Sequence, residues 1–155
     1  MEAGLSDCLE VFRGATKLAL RDGHLSNGEK RLLVKLAHAL KLEEEEPGMV
    51  YDSVIGGTSL AVGRELGVQE KIVVYGQVLE AVLMHTDRSE DELMLVAYLR
   101  KAFQISDSEH RAITRSLDRQ LEQIIHRNVL QDFRMRLDDT MEKIGGIFDR
   151  IGIQI

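Results

Sequence analysis

Apolar residues recur at helical spacing from the first turn of the chain. Leu5, Cys8, Leu9, Phe12, Ala15, Thr16, Ala19 and Leu20 step by three and four, which places them on one helix face, and Gly23 supplies a left-handed stop after about Arg21. A second stripe, Leu32, Leu33, Leu36, Ala37 and Leu40, opens after Ser26-Asn27-Gly28-Glu29. That spacing predicts a capping box, in which a serine and a glutamate three residues later satisfy free N–H groups at a helix start. Pro47, behind four glutamates, predicts the first turn of a third helix. The run from Ile72 to Met84 is apolar almost all round and predicts a central buried helix. Glu90 to Phe103 predicts the next, and Ser106-Asp107-Ser108-Glu109 opens another with the same box. The glycine-rich stretch VIGGTSLAVGRELG lacks the Gly-Lys-Ser/Thr ending of a phosphate loop, so small residues at a close helix crossing are expected there.

Part of this pattern repeats. Placing Ser26 on Ser89 brings Phe12 onto Tyr75, Ala15 onto Val78, Leu20 onto Leu83, Glu29 onto Glu92, Leu32 onto Leu95 and Leu36 onto Leu99. A shared cap, corner and spacing point to an ancestral duplication. The expected fold is all-α, one domain of six or seven helices. A first hairpin spans residues 5–42, a connecting helical region 43–67, a second hairpin 68–105 and a helical extension 106–155.

Composition narrows the function. With 155 residues, 44% of them hydrophobic, the chain can bury a core without metals or disulfides. The single cysteine cannot form an internal bridge, and the N-terminal residues carry no signal-like pattern, so a reducing, cytoplasmic setting is expected. A net charge of −6 disfavours broad capture of nucleic acid. No histidine sits in an H-E-x-x-H or Glu-x-x-His pattern, and Cys8 lies on an apolar stripe; a non-catalytic protein is expected.

The stretch DGHLSNGE has the outline of a calcium loop. With Gly23 at position 6, Asp22 falls at position 5 and Glu29 at position 12, but positions 1 and 3 are Leu18 and Leu20. At most a weakly bound divalent cation is expected there, with a dissociation constant on the order of 10⁻⁴–10⁻³ M and no other cofactor. The same residues support a second reading, a glycine helix stop followed by a cap. ALRDGHLSNGEK, Ala19 to Lys30, also resembles the corner motif of the tellurite-resistance TerB-like family, which includes DjlA N-terminal-like helical domains; the likeness covers about residues 9 to 105. It implies an all-helical pseudo-twofold interaction module with acidic corner residues as metal ligands, here Asp22 and Glu29, with Asp87 and Glu92 as weaker counterparts. The family's second Asp-Gly corner is lost in this chain, and residues 106–155 lie beyond the likeness.

The C-terminal third offers two candidate partner surfaces. Arg111, Arg115 and Arg119 fall four apart on one helix face and suit an anionic partner, although Asp107, Asp118 and Glu122 lie at spacings that neutralise them. Further on, Leu130, Phe133, Leu137, Met141, Ile144, Phe148 and Ile151 form an apolar seam that can dock on its own domain or pair with a protein partner or second copy through Met141, Ile144 and Phe148. Balanced charges along that helix make contact with a membrane surface a less favoured use.

Overall fold

In a computed structural model that describes residues 5–84 and 88–153, the described chain is all-helical. Seven helices follow in order: α1 Cys8–Ala19, α2 Asn27–Ala39, α3 Glu46–Gly56, α4 Val68–Met84, α5 Glu90–Ala102, α6 Asp107–Leu121 and α7 Arg127–Ile151. None of them is long and apolar enough to cross a membrane. The three serine boxes form as their spacing demands. Ser26, Ser89 and Ser106 each accept the N–H of the glutamate three residues on, and each glutamate accepts the serine N–H in return. Helix α1 carries a cap that periodicity did not reveal, Asp7, whose Oδ1 accepts the N–H groups of Leu9 and Glu10.

Two expectations about the chain before α5 are corrected. The glycine-rich stretch is not a helix crossing: after α3 ends on the left-handed Gly57, residues 58–67 run without helix against the start of α1. There Cys8 N–H donates to Arg64 O at 2.9 Å, Leu66 N–H to Ser6 O at 2.7 Å and Gly63 N–H to Asp7 Oδ2 at 2.7 Å. A Cβ on Gly63 would lie 2.7 Å from Leu9 Cγ, so the close approach requires glycine. Helix α4 is also not buried all round. Val74, Tyr75, Val78, Leu79, Val82 and Leu83 face the core, while Val68, Val73 and Met84 are exposed.

The repeat extends further than the two hairpins. Helix α1 packs on α5 as α4 packs on α2, and α2 meets α5 between them. The second helix of each hairpin ends in the same way and in the same register. Lys41 and Gln104 adopt the left-handed region, at φ 59° and 52°, and Leu42 N–H donates to Ala37 O as Ile105 N–H donates to Arg100 O, both at 3.0 Å. The register then continues into the third helices. Glu43 N–H donates to the Glu46 carboxylate just as Ser106 N–H donates to that of Glu109, and the offset between the two pairs is the one that relates Ser26 to Ser89. Helix α3 rests on α1 and α6 on α4. Two three-helix units, α1–α3 and α4–α6, therefore share one core, and α7 is the element without a counterpart.

The apolar seam of α7 packs on its own chain. Leu130, Phe133, Leu137, Ile144 and Phe148 are buried, mainly against α5, and the Phe148 ring meets Tyr98 edge-on at 5.7 Å. Tyr98 in turn donates to Val11 O at 2.8 Å, and a Cβ on Gly14 would overlap its ring. The partner role expected of Ile144 and Phe148 is corrected accordingly: their faces are covered by α5, and only Met141 of the three stays half-exposed.

Candidate functional site: buried corners and an open groove

The corner glutamates lie inside the fold. Glu29 is 1% exposed; its Oε1 accepts Ser26 N–H at 2.9 Å and its Oε2 lies 3.5 Å from Arg21 Nη1. Arg21 also reaches across to the second corner, pairing with Asp91 Oδ1 at 2.6 Å. Glu92 is fully buried, and its Oε1 accepts Ser89 N–H at 2.8 Å. A Cβ on Gly28 would stand 2.9 Å from the carboxyl carbon of Glu92, so glycine lets the two corners meet back to back. Burial pushes the Glu29 carboxyl above its ordinary value and nearby Asp91 adds to this, against the lowering effects of the Ser26 bonds and Arg21.

This arrangement alters the metal expectation. Asp22 is exposed and accepts a long bond from His24 N–H at 3.4 Å, whereas the Glu29 oxygens are held beneath the surface by Ser26 and Arg21. Glu92 is engaged in its own cap, and Asp87 lies outside the described residues. Among the described residues, no three His, Cys, Asp or Glu side chains are grouped as a metal site requires. Capping and ligation compete here for the same glutamate oxygen.

The expected arginine face is only partly assembled. Arg111 and Arg115 line a groove of about 880 Å³ with Arg100, Lys101 and Arg134; Arg119 is exposed but not part of it. Asp107, Asp118, Asp138 and Glu142 share that groove, with Arg100 paired to Asp107 and Arg134 to Asp118. The acids leave little net positive field. At its base His110 is buried with Nδ1 3.1 Å from the Tyr75 hydroxyl. Burial first, and Arg100 next, lower its pKa to about 4, so it is neutral near pH 7. The Cys8 thiol is buried as well, and burial raises its pKa, the reverse of what a nucleophile needs.

A second groove, of about 680 Å³, is apolar and lies on the first unit. Phe12 and Thr16 of α1 form its floor, with the Thr16 hydroxyl satisfied by Phe12 O at 2.8 Å. Leu33, Val34, Ala37 and His38 of α2 make one wall, and Pro47 and Tyr51 of α3 the other. Leu25 and Lys30 stand at one end and Leu42, Glu43 and Glu44 at the other. Val34 is 58% exposed and Tyr51 44%, although both are large and apolar over most of their surface. Sequence reading passed over this groove. Its one local signal is Val34, which stands off the buried stripe of α2.

Comparison with known proteins gives no match to a family model, a curated protein or a solved structure.

Proposed function

We propose that the protein is a non-catalytic, cytoplasmic interaction module of the TerB-like type, acting through the apolar groove on α1–α3. The observation that carries this reading is the groove itself: an open, concave, apolar surface on a chain whose corner carboxylates are already engaged as helix caps. Apolar concavities with a few polar groups at the rim are the ordinary form of binding sites in folded domains. Exposed Val34 and Tyr51 leave apolar area in water that a partner would bury, at roughly 25 cal/mol per Å². The interleaved charges around Arg111 and Arg115 suit a solvated face, and nothing observed favours nucleic acid as the partner.

The reading is tested by placing a photo-crosslinking amino acid at position 34 in the producing cell, with Gln120 on the exposed face of α6 as the control position. Discrete protein adducts from position 34 and none from position 120 are expected. Absence of adducts at position 34, or the same adducts at both, would remove the groove as the working surface.

A further inference from the structure

The internal repeat indicates what the open groove holds. In the second unit a helix, α7, occupies part of the corresponding space, and the rest stays open as the charged groove lined by Arg100, Lys101, Asp107, His110 and Thr114, the counterparts of Ala37, His38, Glu44, Pro47 and Tyr51. In the register that places Ser26 on Ser89, three residues that line the open groove, Thr16, Pro47 and Tyr51, fall on Leu79, His110 and Thr114. Those three residues of the second unit, with Leu130, Phe133 and Leu137 of α7, close around a space of only about 10 Å³. So one three-helix unit packs an amphipathic helix against its second helix, where Ala97 is fully buried, whereas its twin leaves the counterpart, Val34, 58% exposed on a groove of about 680 Å³. We propose that the groove between α2 and α3 receives one amphipathic helix of a partner protein, seated as α7 is seated on the second unit.

The dimensions and charges of the groove specify that helix. From Lys30 to His38 the α2 wall rises about 12 Å at roughly 1.5 Å per residue, which accommodates two turns. On α7 the side chains seated at the twin site are Leu130, Phe133 and Leu137, so the partner presents large apolar residues at i, i+3 and i+7. Helix α7 starts beside Leu83 and Asp118 and runs toward the Ile105–Asp107 end of its unit. The same direction on the first unit puts the partner's first turn at Lys30 and its last turn at Glu43 and Glu44. Acidic residues in its first turn and basic ones in its last would then meet opposite charges, and the pattern also suits the partner's own helix dipole.

A second copy of this chain is the weaker occupant. A twofold pairing of this face would set a concave surface against itself, leaving the groove unfilled. Among the described residues the remaining exposed apolar side chains form no continuous seam of three: Met135 on α7 and Ile124 after α6 are isolated, Val68, Val73 and Met84 on α4 are interrupted by Gln69, Gln77 and Glu80, and Met49 and Ile55 lie six apart on α3.

This inference rests on the interaction reading above and fails separately from it. Helix-constrained peptides of about 16 residues, displayed as a library, are selected on the full chain and their affinities measured by fluorescence anisotropy. Enriched sequences are expected to carry large apolar residues at i, i+3 and i+7, an acidic first turn and a basic last turn. Val34→Glu and Tyr51→Glu, both at exposed positions and checked by unchanged melting, should each weaken binding by about tenfold or more. Glu43→Lys with Glu44→Lys should select against the basic last turn. Enrichment of extended or proline-rich peptides would overturn the helix while leaving the interaction module standing. No enrichment, or binding indifferent to both groove variants, would overturn the inference outright. A dimer of the free protein that Val34→Glu dissolves would hand the groove to a second copy and overturn it as well.

Discussion

The first three-helix unit is bare where α7 covers part of the second, although both are built on one register. At the covered site α7 brings Phe133 and Leu137 onto α4 and α6, and the buried residue in the Pro47 position is His110. At the open site Tyr51 and Val34 face water. The difference teaches that helix spacing fixes the shape of each unit, whereas whatever covers it decides which of its side chains become core. The clearest way to break the comparison is to charge both sites. Phe133→Asp should cost at least about 3 kcal/mol, in the range of large core deletions, and Tyr51→Asp less than about 0.5 kcal/mol, by urea denaturation. Equal losses would mean that the two sites are equally filled.

The covered site also carries a pH signature that the open one lacks. His110 binds its proton in the folded state only near pH 4, against 6.5 in a free chain, so between these values the unfolded state holds more protons. Its contribution is fully present above pH 6.5 and lost as pH falls toward 4, up to about 3 kcal/mol. His110→Asn, which keeps a partner for the Tyr75 hydroxyl, should flatten that part of the stability profile; an unchanged slope would show that His110 is not buried by α7.

Smaller effects sharpen the equivalence of the two units. Ser26→Ala and Ser89→Ala should each cost about 0.5–2 kcal/mol and by similar amounts, since both remove a cap above a buried glutamate. The third box behaves differently. Bonds from Ser106 lower the carboxyl of Glu109, where they outweigh a smaller opposing effect of burial, while burial raises that of Glu29 despite the same bonds. A raised carboxyl stabilises the fold below its unfolded pKa and loses that contribution as pH rises through its folded value; a lowered one does the opposite. Between about pH 4 and pH 7, Glu29→Gln should therefore gain stability relative to the wild type and Glu109→Gln should lose it. Parallel trends in the two variants would undo the burial argument.

Much of this was legible in the chain because it is local. Three serine boxes, the Pro47 start of α3 and the offset from Ser26 to Ser89 all rest on spacings of a few residues or on their recurrence. What escaped depends on distant partners. The Asp7 cap and the Gly63 approach form one contact between residues 56 apart in sequence. The seam of α7 reads the same whether α5 or another chain covers it, and Glu29 reads the same as cap or ligand until Gly28, Arg21 and Glu92 are seen to enclose the corner. The third helix of the repeat was hidden because α3 starts with glutamates and a proline and α6 with a serine box. Only the matching bonds of Glu46 and Glu109 reveal their common register.

The most direct measurement is amide hydrogen exchange of the whole protein, free and saturated with a library-selected helix. Added protection is expected over Leu33–His38 of α2 and Pro47–Tyr51 of α3, with α6 and α7 unchanged. Protection appearing instead across His110–Asp118 and Arg134–Glu142 would place the binding surface on the charged groove of the second unit and contradict the assignment of the partner helix to the bare face of α2 and α3.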